Sequence, residues 1–484
     1  MRIFWVAGIE SETLKVGRFL GRYQISGPDY LAIMRIFAAI LISLVVLGCK
    51  APQQRGGSTF AEASVSYSAG WETLANPTTE MGPQSIEDLV EAGLANNPRL
   101  READHKIQAL KHRIPQHLSL PDPQLRTVTH LDPVETAAGR QAFGLGIDQK
   151  WTRPERRDVR ASMANEAVKA AMAGRRNLEL EIAEEIRAAC IQTLMFRESV
   201  RLAKQEFEKL KQLEEYLLGK YESGGSTSQN EILEVQIELS QLENRLRGVE
   251  QKEKACQARL ARLLHCRPGV SFEIKGDLLT PRAKFDLESL TAQAMELRPD
   301  LEQQLANIRK ERRGICLAHL QNRPDLTVGL NWIATSSQGI SGVANGDDSV
   351  LLGVGFNLPV YKSRIRAAVC EAKENASAAE ARLQIIQDEI AEQVFDSVTK
   401  LDNALLTIEV IESDILPKSS SAAEFAQSEF ESGSGSLEKV IVAHQNRIRH
   451  QTTLVNLRAQ YMLWLAELAM RVGQLEPVDL EIIN

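Results

Sequence analysis

The sequence predicts a mainly α-helical chain with a small transmembrane β region, built from two copies of one structural unit. Three observations lead to this fold class. The chain repeats its motifs at a nearly constant offset, short segments alternate large apolar residues with glycine or polar residues, and long stretches keep coiled-coil spacing. Together they predict long helical hairpins that are joined to short strands.

The internal repeat is visible as pairs of matching motifs. Asn97-Pro98 recurs as Arg298-Pro299, 201 residues later (298 − 97), and Gly144-Leu145-Gly146 recurs as Gly353-Val354-Gly355, 209 residues later (353 − 144). The offset therefore changes only once, by eight residues (209 − 201), between these motifs. A register that is kept over such a length indicates two copies of one structural unit.

Each copy is predicted to open with short helices. In the first copy Ser85, followed three residues later by the acidic Asp88, is typical of a helix start, and apolar residues follow at helical spacing. Asn97-Pro98 breaks this helix, and a second helix is predicted from about Arg99 to His117.

After these helices the apolar period changes to two. In Phe143-Gly144-Leu145-Gly146, for example, large apolar residues alternate with glycine, which predicts strands with one apolar face and one small or polar face. Four strands are too few to close a barrel, and no other part of the chain would cover the apolar face. Lipid would cover that face if several chains closed one barrel. The strands are predicted at about 124–131, 142–151, 325–333 and 350–358.

Two loops join the paired strands and contain the eight-residue difference between the copies. They span residues 132–140 and 334–348, and the second is polar and rich in glycine. Both are predicted to be hairpin tips outside the cell, where insertions are tolerated. Trp151 and Trp332 lie at the predicted strand ends, as aromatic-belt residues do.

Each second strand leads into a very long helix. Apolar residues keep 4-3 spacing from Ile182 to Leu217, which is a coiled-coil seam, and the helix is predicted from about 155 to 220. At ~1.5 Å per residue it would span roughly 100 Å. The chain turns at 222–226 and returns with the same spacing from Ile232 to Leu263.

The second copy predicts the same helical hairpin. Its outward helix is predicted from about Arg364 to Glu429, its turn at 432–435, and its return helix from Leu437 to about Val472. Glycine is common to both turns, although the first contains Gly224-Gly225 and the second Gly433-Ser434-Gly435.

The N-terminal region has the pattern of a secretory signal. Residues 34–48 combine a basic start with an apolar stretch, and Val46-Leu47-Gly48-Cys49 resembles a bacterial lipobox. This pattern predicts cleavage before Cys49 and lipidation of its thiol. Lys50 follows, which favours the outer membrane as the destination. Residues 1–33 are a doubtful upstream extension, and Met34 is an alternative start.

Composition excludes several other classes of protein. The net charge of −7 is modest and is not clustered, so a nucleic-acid partner is unsupported. Cys190, Cys256, Cys316 and Cys370 lie in helical patterns, and Cys266 lies at a helix end, so no structural disulfide is expected. Aromatic residues make up only 5% of the chain, which suits long packed helices better than a thick core.

These patterns give the following domain organisation. The segments are an upstream extension 1–33, a signal peptide 34–48, a linker 49–84, repeat 1 at 85–270, an inter-repeat linker 271–285, repeat 2 at 286–473 and a tail 474–484.

In this order and twice over, the motifs resemble the TolC-like outer membrane efflux protein family. They are the Asn97-Pro98 break, the proline-flanked entry to the first strand, and the turns containing Tyr221 to Gly224 and Phe430 to Gly433. The resemblance runs from about Ser85 to Gly473, which is nearly all of the mature chain, and includes the closing segment 465–473. Leu120-Pro121-Asp122-Pro123 and the stretch from Gln149 to Arg157 resemble most the branch that serves heavy-metal efflux pumps.

The resemblance implies a homotrimer that forms one outer-membrane β-barrel, with four strands from each chain, continued by a long α-helical coiled-coil barrel. Such a protein is a passive duct for small solutes, including metal cations or drugs. It works with a periplasmic adaptor (membrane fusion) protein and an inner-membrane pump. By position, the residues that contact the adaptor would be Tyr221, Gly224, Gly225, Phe430, Gly433 and Leu437, and the candidate gate residues would be Glu431, Glu438 and Lys439.

No pattern in the chain indicates an enzyme or a cofactor. His105, His112 and His117 are not spaced as pairs of metal ligands on one helix face, and neither are His444 and His450. We therefore expect solvated helix histidines and no metal site. The paired glycines at 144 and 146, and at 353 and 355, favour close packing in a barrel wall over a nucleotide loop.

Two alternative functions remain at this stage. One is the outer membrane duct of a type I protein secretion system, which would have the same fold and a different pump. The other is a lipid-anchored periplasmic coiled-coil protein with a structural role. The second alternative explains the coiled-coil spacing and Cys49 but gives the alternating strands no role.

Overall fold

The structure is a computed structural model that describes residues 84–224, 228–278, 280–281, 284–337 and 346–476. The predicted signal peptide and Cys49 lie outside the described residues, as do Gly225 and most of the second strand-joining loop. Two compact units are present. The β unit contains Leu120–Arg153 and Arg323–Val360, and the helical unit contains the described residues on either side of these segments.

The elements follow one another in the same order in each half of the chain: short helices, two strands and a long helical hairpin. In the first half they are α1 (Ile86–Asn96), α2 (Pro98–Lys111), α3 (Arg113–Leu118), β1 (Gln124–Thr136), β2 (Gly139–Trp151), α4 (Pro154–Glu222) and α5 (Gln229–Leu263). In the second half they are α6 (Leu287–Leu297), α7 (Pro299–Leu320), β3 (Leu326–Ser336), β4 (Ser349–Phe356), α8 (Lys362–Val410), a π-helical segment (Ile411–Ile415), α9 (Leu416–Glu431) and α10 (Leu437–Val472).

Local chemistry sets the ends of the short helices. Ser85 and Asp88 form a capping box at the start of α1. The Asn97 side chain then accepts a hydrogen bond from the Arg99 N–H, and Pro98 occupies the first turn of α2, where its missing N–H costs nothing. The predicted break at Asn97-Pro98 is therefore present. The helix predicted from Arg99 to His117 is instead divided at His112 into α2 and α3.

The long helices form one layer. Helix α4 packs against its hairpin partner α5 and also against α10, and α10 in turn packs against α8 and α9. Burial along α5 follows the predicted seam, for example at Ile232, Val235 and Leu239. In the middle of α4 the seam prediction is partly wrong: Ala203 and Phe207 are only partly buried, whereas Leu202 and Glu206 are buried. Because α4 has two long neighbours, its buried sector is wider than a single coiled-coil seam.

The outward helix of the second hairpin is not continuous, contrary to the sequence prediction. The π-helical segment Ile411–Ile415 separates α8 from α9. Pro417 lies in the first turn of α9, and without an N–H it cannot donate to the carbonyl group of Ser413. The loss of this hydrogen bond accounts for a local widening of the helix, and α4 contains no proline after its first residue.

The four strands form one antiparallel sheet in the order β1-β2-β3-β4. The first predicted loop, 132–140, is wrong, because β1 extends to Thr136 and β2 begins at Gly139. Pro133 lies within an irregularity in the pairing of β1 with β2, between Thr129 and Val134. It fits there because it has no N–H to donate to a neighbouring strand. Trp151 does end β2, but Trp332 lies inside β3 and donates to Asp348 (3.1 Å).

The two faces of the sheet differ in chemistry. Residues that pair directly across antiparallel strands share a face, and Leu125, Ile147, Leu330 and Leu352 form one such row. The next row consists of Arg126, Gly146, Asn331 and Leu351. One face is therefore almost wholly apolar, and the other is rich in glycine and polar residues. Much of the apolar face is exposed: Leu352 is 71% and Phe356 59% accessible.

Within the helical unit, two clusters of buried apolar residues lie away from the turns. One joins α1 to α4 and α5 around Leu89, Ile186 and Leu260, and the other joins α8 to α10 around Ile390 and Leu468. Among the described residues, no helix combines the length and the apolar character needed to cross a membrane.

Candidate functional site

The two hairpin turns have related backbone geometry. Gly224 and Gly433 have positive φ angles of 79° and 81°, and each follows the end of an outward helix. Glycine adopts this conformation without the clash that a Cβ atom would cause. At the first turn, Ser228 and Glu231 form a capping box that starts α5. At the second turn, the Glu429 carbonyl accepts hydrogen bonds from the N–H groups of Ser434 and Gly435, both at 2.9 Å.

An apolar cluster joins the two hairpins next to their turns. Leu217 and Ile232 from the first hairpin lie in the same cluster as Phe430, Leu437 and Val440 from the second. The ammonium group of Lys220 lies 5.8 Å from the centre of the Phe430 ring, within the range of a cation–π interaction. The turns therefore rest on a shared core and are not independent loops.

This core changes the role of two predicted contact residues. Phe430 is 6% and Leu437 3% exposed, so both support the turn from inside and neither is available to a partner in this conformation. Tyr221 is 49% exposed and remains accessible. Gly224 and Gly433 lie where predicted, and their role is to shape the turns. Gly225 lies outside the described residues.

The candidate gate residues lie on the surface of the second turn. Glu431, Glu438 and Lys439 are all exposed, and no ion pair within the described part of the chain joins them. Glu431 accepts a hydrogen bond from Gln427 (3.0 Å). A Cβ atom at Gly435 would come within 3.0 Å of the Phe430 backbone nitrogen, so a larger residue at this position would require the turn to shift.

Sequence reasoning missed a buried polar cluster between the hairpins. Glu206 on α4 accepts hydrogen bonds from His444 Nδ1 and from Arg447 Nη2, both on α10 and both at 2.7 Å. All three residues are at most 6% exposed. The expectation that His444 is solvated is therefore wrong, because α4 and α10 pack directly against each other at this position.

The electrostatics of this Glu206 cluster (Glu206, His444 and Arg447) favour an ionised carboxylate. Burial acts to raise the pKa of Glu206, but hydrogen bonds from His444 and Arg447, together with their charges, outweigh it and leave the pKa lowered. The network continues to α5, because Gln445 beside His444 donates to Glu238 (2.9 Å). The two hairpins are thus joined to each other by polar contacts as well as by the apolar cluster next to their turns.

A second polar cluster lies on the glycine-rich face of the sheet. Arg126 Nη2 lies 3.3 Å from Asp148 Oδ2 and donates to Asn331 Oδ1, also at 3.3 Å. Asp148 pairs across the strands with Gly329, and Asn331 pairs with Gly146. The close packing predicted for the paired glycines is found at Gly146, and Gly329, which the prediction did not include, is closely packed as well. It is not found at Gly144, Gly353 and Gly355, where an added Cβ would meet no atom closer than 3.6 Å.

Two long helical hairpins with a four-stranded antiparallel sheet constitute the fold of outer membrane channel subunits. The outer-membrane channel OprN superposes with a TM-score of 0.66 at 16% identity, covering 80% of this chain and 89% of that one. The outer membrane protein VceC from Vibrio cholerae gives 0.64 at 16%, covering 81% and 97%. The CmeC outer membrane channel of Campylobacter jejuni gives 0.64 at 15%, covering 83% and 90%. At these identities the likeness establishes the fold.

A family model also matches part of the sequence. Residues 290–474, which comprise most of the second half, match the family model described as outer membrane efflux protein. No curated protein sequence matches the chain. The chain therefore contains an outer membrane efflux protein domain, and the resemblance to the TolC-like family is confirmed. This is a family of outer membrane efflux channels and not of enzymes.

Proposed function

We propose that this protein is the outer membrane channel of a tripartite efflux pump. It is a passive duct that conducts small solutes, with metal cations or drugs as the substrate classes, from the pump to the exterior. The driving energy comes from an inner-membrane pump, which the duct reaches through a periplasmic adaptor protein. The confirmed family supports the channel, and the open edges of the sheet and of the helical layer carry the proposal of how the channel is built.

The sheet is unfinished in a single chain. Strand β1 pairs only with β2 and strand β4 only with β3, so each outer strand leaves one edge without a partner among the described residues. Unpaired strand edges and an exposed apolar face are both unfavourable in water. Closure of one barrel by three chains would pair every edge and would leave the apolar face to lipid. Twelve strands would result, as the family resemblance implies.

The helical layer is open at two edges as well. Helix α5 contacts α4 as its long neighbour, α9 contacts α10, and α8 contacts both α7 and α10. Each edge carries exposed apolar residues at helical spacing, Leu233 and Ile237 on α5 and Phe395, Leu406 and Val410 on α8. A contact between the α5 edge of one copy and the α8 edge of the next would cover both stripes. Such head-to-tail contacts can close a ring.

We assign the hairpin turns to the adaptor and to the gate. The exposed surface at the turns includes Tyr221 at the first, and Glu431, Glu438 and Lys439 at the second. In a trimer each of these charges would occur three times around the axis, and a ring of like charges acts as an electrostatic filter. The shared apolar core beneath the turns would transmit movement of one hairpin to the other.

We further propose that the mature chain is a lipoprotein that is anchored in the outer membrane through Cys49. The proposal rests on the lipobox resemblance of Val46-Leu47-Gly48-Cys49. We also infer that the two halves are copies of one unit, which the repeated order of their elements supports.

Single-channel recording tests the duct. The full-length purified protein, added to a planar lipid bilayer, should produce discrete conductance steps. Protein denatured by heat before addition is the control and should give none. A native protein that associates with bilayers without conducting would contradict the proposal and would favour the structural lipoprotein.

A further inference from the structure

The glycine-rich face of the sheet carries an ionic cluster that the proposed function leaves without a role. Arg126 on β1, Asp148 on β2 and Asn331 on β3 form this wall cluster, with both contacts of the guanidinium at 3.3 Å. It spans three strands, and all three side chains point to the same face of the sheet. The arrangement is a fixed constellation of one cation, one anion and one amide.

Two glycines make this constellation sterically possible. A Cβ atom at Gly146 would lie 2.1 Å from Asn331 Oδ1, and one at Gly329 would lie 2.2 Å from Asp148 Oδ1. A side chain at either glycine would therefore displace the end of the Asn331 or the Asp148 side chain from its present position. Arg126 pairs directly with Gly146, so its guanidinium can cross β2 above this glycine and reach β3.

We infer that the wall cluster keeps the wall of the duct electrically neutral at this level, so that small ionic solutes of either sign can pass. The inference rests on the proposed function, because it requires the glycine-rich face to line the lumen while the apolar face meets lipid. One guanidinium and one carboxylate cancel in each chain, and on the same sheet Lys150 lies 3.7 Å from Asp325 as a second balanced pair. A wall without net charge at this level passes solutes of either sign. The loss of one charged partner would leave one unpaired charge in each chain, and so three in a trimer.

A charge cycle tests this inference through the reversal potential across a planar bilayer in a KCl gradient. Arg126→Gln leaves the Asp148 carboxylates unbalanced, so the reversal potential should shift toward that of a cation-selective pore. Asp148→Asn leaves the guanidinium unbalanced, so the shift should have the opposite sign. The double variant removes both charges, and its reversal potential should return to that of the unmodified protein.

Glu102→Gln is the matched control, because it removes one charge from an exposed ion pair with Lys106 on α2, which belongs to the helical unit. It should cause no shift. Circular dichroism and the oligomeric mass of each variant report on folding and assembly. The inference about the wall cluster would be overturned if the single variants conduct without opposite shifts, or if the reversal potential of the double variant does not return to that of the unmodified protein. Either result would leave the proposed duct intact. If the unmodified protein does not conduct, the proposed duct function is wrong, and the inference about the wall cluster fails with it.

Discussion

At the scale of single residues, the burial of Glu206 is the main departure from what the sequence indicates. Coiled-coil spacing assigns Ala203 and Phe207 to the seam and leaves Glu206 on a polar face. Glu206 is instead 4% exposed, because α10 covers that side of α4. Its carboxylate is stabilised by His444 and Arg447, which lie more than 230 residues away along the chain. Local spacing contains no information about a contact at that separation.

Replacement of Glu206 by glutamine should destabilise the helical unit. Glu206→Gln leaves the Arg447 guanidinium buried without a counter-charge, which costs about 3–5 kcal/mol in comparable buried pairs. Denaturant unfolding in detergent measures the change. Glu243→Gln is the matched control, since Glu243 pairs with Arg247 on the surface of α5, and such exposed pairs contribute about 1 kcal/mol or less. Equal effects of the two substitutions would contradict a stabilising buried pair.

The unmodified protein and the Glu206→Gln variant also provide a pH test. The folded state lowers the pKa of Glu206, so the stabilisation is fully present above the unfolded-state pKa, which is about 4.3 for glutamate. It is lost as the pH falls through the lower pKa of the folded state. The stability difference between the unmodified protein and Glu206→Gln should therefore shrink as the pH falls below about pH 4.

At the scale of elements, the turns and the long helices follow from local chemistry. A glycine with positive φ ends each outward helix, and a Ser–Glu capping box starts α5. The 69-residue α4 begins and ends within two residues of its prediction from apolar spacing. The π-helical segment before Pro417 was missed, because a proline predicts a break or a kink and not the manner in which the neighbouring turns absorb it.

The two kinds of glycine in the hairpins should respond oppositely to alanine. Gly433→Ala puts a side chain at φ 81°, which should cost about 1–2 kcal/mol although the surrounding space is open. Gly219→Ala lies within α4, where no atom lies within 4 Å of the added methyl group, and should stabilise by about 0.5–1 kcal/mol. Denaturant unfolding midpoints should therefore fall for Gly433→Ala and rise for Gly219→Ala, relative to the unmodified protein. Destabilisation by Gly219→Ala would argue against an open helical site.

At the scale of the whole molecule, the open edges define the assembly. In the sheet, β1 and β4 each have one neighbouring strand, and in the helical unit α5 packs against α4 and α9 packs against α10. A single chain cannot satisfy these edges. The proposed partners for these edges are other copies of the chain, and their number is a property of the assembly.

The proposed head-to-tail contact predicts a specific mixing result. Ile237→Asp should block the α5 edge and Leu406→Asp the α8 edge, so each variant alone should be monomeric by mass in detergent. When the two variants are mixed, each pair has one intact contact, formed by the α8 edge of the first variant and the α5 edge of the second. Dimers should appear, but closed rings should not.

A variant on the same helix controls for the effect of a substitution within α5. Glu243→Asp keeps an acid on an exposed face of α5 and should assemble like the unmodified protein. Mixed single variants that stay monomeric would contradict two different edges meeting head to tail, and would favour a contact in which each edge meets its own copy.

The sequence by itself determined the elements, because their signals are local: apolar periods of two and 3.5, glycine at the turns, caps and prolines at helix ends. It also indicated the family, through motifs that recur in one order in both halves. Only the tertiary structure decided which of these elements meet. The burial of Glu206 and His444, the inward role of Phe430 and Leu437, and the wall cluster above Gly146 and Gly329 all depend on contacts between distant segments. The energy of such contacts depends on the distance between the residues in space, and the spacing of residues along the sequence does not reveal that distance.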